Sequence, residues 1–279
     1  MSWLEAIVLG IVQGLTEFLP ISSSAHQLVV ARLFFDSDGG GSAFTAINQL
    51  GTEAAVLVYF WRDITRIIKQ WSLSLVGKVD RSDPDARMGW LVIAGTLPIA
   101  ILGLLFQDWI DSTLRNLWIT ASMLLIFAIV IAAADMRAKQ TKELTQLDTK
   151  SGIAFGFWQA CALIPGVSRS GGTIAGGLFM GFTREAAARY SFLLAIPAVL
   201  ASGFFKVIKV AEDDPNPEWG PILIATVIAF VIGYAVISWL MQYISNHDFK
   251  VFVIYRVILA LVLFGLLAFG VVDAAAPPV

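Results

Sequence analysis

Gly14-Leu15-Thr16-Glu17-Phe18-Leu19-Pro20-Ile21-Ser22-Ser23-Ser24-Ala25-His26 interrupts an otherwise apolar stretch that runs from residue 3 to residue 34. Pro165-Gly166-Val167-Ser168-Arg169-Ser170-Gly171-Gly172-Thr173 does the same between residues 152 and 181. Each stretch is broken near its middle by a proline and a polar cluster. At 1.5 Å of rise per residue neither half crosses a hydrocarbon layer about 30 Å thick. Irregular backbone at that depth survives only where protein or a water-filled cavity satisfies its amides. Both stretches therefore read as re-entrant helical hairpins with the clusters at their tips.

The rest of the chain agrees. Of 279 residues, 57% are hydrophobic and 14% charged, with a mean hydropathy of +0.76. Soluble domains carry about a quarter charged residues, so this is an integral membrane protein. A net charge of −2 without a basic patch gives no sign of a nucleic-acid partner. Cys161 is the only cysteine, which rules out an intrachain disulfide. The first apolar stretch lacks a basic leader and carries Glu5 and Glu17, unlike a cleaved signal peptide.

Six further segments are long enough to span: 43–61, 89–106, 116–134, 186–206, 219–240 and 252–272. The expected fold is an all-α polytopic membrane protein with six transmembrane helices and two re-entrant hairpins in one membrane domain, 1–279. A hairpin plus three spans occurs twice, over about 1–134 and 152–273, with Pro20-x-x-Ser23 matched by Pro165-x-x-Ser168, 145 residues on. Three spans is an odd number, so the second copy is inverted, and inverted repeats with broken helices hold their sites near the midplane. Thirteen Lys and Arg fall in 62–88, 135–151, 182–190 and 241–251, against four on the other side, Arg32, Arg115, Lys206 and Lys209. The positive-inside rule puts the first group in the cytoplasm, leaving both termini and the acidic loop Glu212-Asp213-Asp214 outside.

Ionisable groups at membrane depth cost about 2.5–3.5 kcal/mol each on insertion scales, so they are expected to work. Gln13 and Glu17 share a helix face, where a carboxylate can bind a divalent cation or take a proton. His26 follows Ser23 by three residues, within reach of a hydroxyl to activate. Ser168-Arg169-Ser170-Gly171-Gly172-Thr173 reads as an anion cradle at a helix start, with Arg169 offering a planar fork to phosphate oxygens. Asn48, Gln49 and Glu53 form a polar stripe that either lines the same cavity or bonds across helices.

At these clusters the sequence resembles the bacterial undecaprenyl-diphosphatase, or bacitracin-resistance, family. The matching stretches are Gln13 to His26, Gln49-Leu50-Gly51 and Pro165 to Thr173. The resemblance implies a bacterial cytoplasmic-membrane enzyme that hydrolyses the C55 lipid diphosphate to its monophosphate with a divalent metal, Mg2+ or Ca2+, as a homodimer with an outward-facing site. For that activity the expected catalytic residues are Glu17, Ser23, His26 and Arg169, with Ser23 or an activated water as nucleophile. Ser22, Ser24, Gln49, Ser168, Ser170, Gly172 and Thr173 would hold substrate, and Glu17 with Gln13 the metal. The family's first motif often reads Glu-x-x-x-Glu; here its first position is Gln13, which keeps an oxygen and loses a charge. The rival is a transporter, because inverted repeats with a midplane anion site equally describe lipid-phosphate flippases.

Overall fold

A computed structural model describes residues 1–213 and 217–275 of the chain. It is all-helical: among the described residues the only β pairing is an isolated bridge between Lys142 and Phe182. Asp214, the last residue of the acidic loop, lies outside the described residues.

The first broken stretch forms α1 (Trp3–Thr16) and α2 (Ser23–Phe34). Their open ends come together, with the Ser37 hydroxyl donating to the Glu5 carboxylate, so the pair doubles back as a hairpin. The second forms α8 (Thr149–Ala160) and α9 (Arg169–Phe179). Here too the flanks meet, since Thr141 and Lys142 donate to the Gly181 carbonyl and Thr183 donates to that of Lys142. At 11–14 residues each, none of the four helices exceeds about 21 Å.

Between and after the hairpins run α3 (Gly41–Tyr59), α4 (Trp61–Leu75), α5 (Pro84–Leu105), the short α6 (Gln107–Ser112), α7 (Leu117–Arg137), α10 (Arg184–Asp213), α11 (Trp219–Ile244) and α12 (Lys250–Ala268). Among the described residues five are long and apolar enough to span a membrane: α5, α7, α10, α11 and α12. The sixth segment expected to span, α3, is 19 residues long and carries Thr45, Asn48, Gln49, Thr52 and Glu53. It is not among the five, because its polar stripe lowers its hydropathy.

Two helices run past their expected limits. α5 starts at Pro84, capped by the Asp83 carboxylate on the amides of Asp85 and Ala86, and α10 extends to Asp213. An apolar window limits what lipid covers, not where a helix ends. The segment 62–88, read only as a basic connection, holds α4, whose Ile64, Ile67 and Trp71 recur at helical spacing against Arg62, Arg66 and Lys69.

Small residues bring the central helices close. α11 packs against both α1 and α3. A Cβ at Gly10 would stand 2.7 Å from the Ala225 carbonyl oxygen, and one at Gly51 would run into that of Thr226. The largest core cluster surrounds the second hairpin and includes Phe155, Ile174, Leu178, Phe182 and Tyr190, with Phe18 from the first tip edge-on to Phe192 of α10.

Candidate active site

The two hairpin tips share one backbone design. Ser22 and Ser168 are non-glycine residues with φ of 75° and 71°, in the left-handed region that L side chains rarely adopt. Each caps the helix that follows: Ser22 Oγ accepts from the Ala25 amide at 3.4 Å, and Ser168 Oγ from the Gly171 amide at 3.1 Å. Each also bonds the serine two residues on, at 3.2 Å for Ser22–Ser24 and 3.1 Å for Ser168–Ser170. The equivalent residues are thus Ser22 and Ser168, 146 apart, rather than Ser23 and Ser168. The shift makes Ser23 and Arg169 the first residues of their helices, so hydroxyl and guanidinium occupy corresponding places. Non-glycine strain of this kind persists where the surroundings enforce it, and it clusters at functional sites.

The tips meet. Ser170 Oγ donates to the Leu19 carbonyl at 3.1 Å, and Arg169 Nη2 pairs with Glu17 Oε1 at 2.6 Å across 152 residues of sequence. The other Glu17 oxygen, Oε2, accepts from Ser23 Oγ at 2.5 Å and from Gln13 Nε2 at 2.8 Å. Glu17 is therefore fully engaged by a guanidinium, a hydroxyl and an amide. Glu53 of α3 stands on the second nitrogen of the same guanidinium, with Oε2 3.8 Å from Arg169 Nη1. The three side chains are 3%, 1% and 16% exposed for Glu17, Glu53 and Arg169, so water does little to screen them.

The remaining expected site residues divide. His26 forms no bond with Ser23. Its Nδ1 lies 2.7 Å from the Ser22 carbonyl and its Nε2 2.7 Å from the Tyr255 hydroxyl, with the two rings stacked. A carbonyl only accepts, so Nδ1 carries the proton and Nε2 presents its lone pair to Tyr255. Thr173 turns inward, its hydroxyl donating to the Arg169 carbonyl at 2.7 Å and bonding Ser191. Gly172 donates its amide to the Ser168 carbonyl at 2.8 Å as part of the α9 start. Gln13 turns its amide nitrogen toward Glu17 and Thr52, while Gln27 donates to its oxygen, so the oxygen expected to face a metal is taken. Gln49 is half-buried one turn before Glu53 and, among the described residues, its side chain joins none of these bonds. Among the described residues no cluster of three or more His, Cys, Asp or Glu stands ready for a metal.

Two residues of α12 escaped the sequence reading. Arg256 is fully buried and donates to the Leu124, Met123, Pro20 and Gly166 carbonyls at 3.2, 3.3, 3.1 and 2.7 Å. One guanidinium thus joins a carbonyl from each tip. Its neighbour Tyr255 holds His26. An arginine inside the segment 252–272 is itself the signal that could have found them, by the cost of charge at membrane depth.

A family model described as bacitracin resistance protein BacA matches residues 6–262. The chain belongs to the BacA family. Curated relatives extend the match over essentially full length. A Pseudarthrobacter chlorophenolicus undecaprenyl-diphosphatase is 60% identical over 277 residues, covering 98% of this chain and 100% of that one. One from Micrococcus luteus is 58% identical over 278 residues, covering 98% and 100%. An undecaprenyl-diphosphatase 2 from Streptomyces coelicolor is 55% identical over 285 residues, covering 98% and 97%. With five helices apolar enough to span, this member of the BacA family is a multi-pass membrane protein.

Proposed function

We propose that this chain hydrolyses undecaprenyl diphosphate to undecaprenyl phosphate and inorganic phosphate, recycling a cell-wall lipid carrier and conferring bacitracin resistance. Family membership supports the substrate, and one contact carries the chemistry: Ser23 Oγ lies 2.5 Å from a Glu17 carboxylate whose other oxygen grips Arg169. Phosphoryl transfer needs a positioned nucleophile, a proton acceptor and charge neutralisation, and these three groups supply one each.

In this reading Arg169 exchanges Glu17 for the oxygens of the distal phosphate, its planar fork suited to bidentate contact. Ser22 with Ser24 and Ser168 with Ser170, one bonded pair at each tip, offer hydroxyls to the same anion. Ser23 Oγ attacks the distal phosphorus and gives its proton to Glu17. The bond from that phosphorus to the bridging oxygen breaks, undecaprenyl phosphate leaves, and water cleaves the phosphoserine to release phosphate. His26 takes the proton of that water on Nε2, its accepting nitrogen, as the water replaces the Tyr255 hydroxyl there.

A divalent cation, Mg2+ or Ca2+, fits the donor set through Glu17. Hard cations of this kind use one or two carboxylates and draw further oxygens from substrate phosphates. When bound, the cation neutralises charge on the diphosphate. Gln13, with its oxygen given to Gln27, acts here as a donor that orients Glu17.

The membrane arrangement belongs to the same proposal: six spans with α3 as the sixth, two re-entrant hairpins in an inverted repeat, a bacterial cytoplasmic membrane, an outward-facing site and a homodimer. The thirteen-to-four distribution of basic residues and the shared tip backbones support it. Phosphate release from C55 diphosphate by the purified protein, with and without EDTA, tests the activity; none above background would sink it. For orientation, Ser24→Cys in a Cys161→Ala background should react with an impermeant thiol reagent applied outside, and substrate should protect it. Labelling only from the cytoplasmic side reverses the assignment.

A further inference from the structure

The acidic residues at Arg169 come from helices that no single motif links. Glu17 ends α1 and Glu53 sits on α3, each beside a different terminal nitrogen of one guanidinium. Ser23 and Gln13 both sit on Glu17 Oε2, which leaves Oε1 to Arg169 alone, and Glu53 Oε1 is buried without any hydrogen-bond partner, as is Arg169 Nη1. Two carboxylates and one guanidinium leave a formal charge of −1 in a pocket almost closed to water. A buried carboxylate oxygen left bare is costly when one guanidinium must serve two carboxylates, and a further cation would offset that cost.

Gln13 shows what that site replaces. Its Nε2 donates to Glu17 and stands 3.4 Å from Thr52 Oγ1, on the residue immediately before Glu53. Gln13 donates to Glu17, and Glu53 faces the guanidinium that Glu17 holds, so positions 13 and 53 reach one charged cluster from α1 and from α3. The Glu-x-x-x-Glu pattern places its first carboxylate at position 13, where this chain has an amide.

We propose that Glu53 supplies that missing carboxylate: with Glu17 it forms the two-carboxylate site for a hard divalent cation, relocated from α1 to α3. The proposal rests on the cation assigned to the phosphatase reading above, and it assigns a ligand outside both tip motifs. Glu53 Oε1 is the oxygen it offers.

The test uses the full-length protein in detergent, with Mn2+ as probe and free Mn2+ followed by electron paramagnetic resonance without substrate, alongside phosphate release. Glu53→Gln should weaken Mn2+ binding by about 100-fold or more, since even outer-shell changes cost 10–100-fold in metal sites. Turnover should fall with it. The exchange Gln13→Glu with Glu53→Gln keeps the charge count and should restore both binding and turnover to within about tenfold of the starting protein. Recovery in the exchanged protein also shows that the single variant had not merely misfolded. Wild-type Mn2+ affinity in Glu53→Gln, or an exchange as weak as that single variant, would overturn the proposal. If Mn2+ binding follows the expected pattern while no variant or parent releases phosphate, the carboxylate pair stands and the phosphatase reading falls.

Discussion

Arg256→Lys should loosen both tips although the charge is kept. Arginine spans the gap because Nη1 reaches the Pro20 carbonyl while Nη2 reaches that of Gly166. Both acceptors lie in the non-helical breaks and have no ladder bond to fall back on, whereas Met123 and Leu124 lie inside α7 and already accept from its own turns. A lysine ammonium is a single point of charge and cannot stand at both tips. At least one tip carbonyl is then buried unpaired, at about 1–3 kcal/mol. The loss of activity should be larger than that figure suggests. The Glu17–Arg169 contact spans the two tips, and a displacement of about 1 Å at a reacting centre can cost about 100-fold in rate. Thermal unfolding in detergent measures the first effect, and phosphate release measures the second. A lysine variant that melts and turns over like the parent would refute the argument, because a point charge or water would then suffice to hold the tips.

Arg169→Lys should lose most activity while the protein still folds, since a lysine cannot make the bidentate phosphate contact; near-parental turnover would make Arg169 a structural partner of Glu17. Tyr255→Phe should lower kcat with KM little changed, because His26 Nε2 loses the hydroxyl that fixes its ring; the drop should stay below the roughly 100- to 10,000-fold cost of removing a general acid–base group, as in His26→Ala. Gly51→Ala should destabilise the protein by about 1–3 kcal/mol, read as a lower melting temperature, because the added methyl collides with the Thr226 backbone and rotamer changes cannot relieve it.

The hairpins were legible because their cost was. A proline with serines, a glutamate and an arginine inside an apolar stretch demands a break, and both helix breaks fall at the expected clusters. The tip register was not legible. It depends on positive φ at Ser22 and Ser168, and a serine gives no sign of left-handed backbone as a glycine would. The one-residue shift follows from that. The Ser23–His26 pairing failed for a related reason: helical side chains lean toward the N-terminus, which carries the His26 ring back to the Ser22 carbonyl. Ser23 instead meets Glu17 across the break, a contact that no spacing rule covers. α4 was hidden because its basic residues had served only as topology markers.

Membrane-depth cost found Arg169 and would equally have flagged Arg256, yet the two arginines have opposite fates. Arg256 is fully buried, with Nε and both terminal nitrogens each given to a carbonyl, and among the described residues it pairs with no carboxylate. Its burial cost is met entirely by dipoles that do not move, which suits a fastener. Arg169 is paired to Glu17 through one nitrogen while the other has no hydrogen bond and a bare carboxylate 3.8 Å away. A group left short of partners inside protein is one that an incoming anion can complete, and the deficit is what makes binding favourable. Sequence locates such a charge by its expense. Only the count of partners in the folded chain separates the arginine that holds the tips together from the one proposed to meet the substrate.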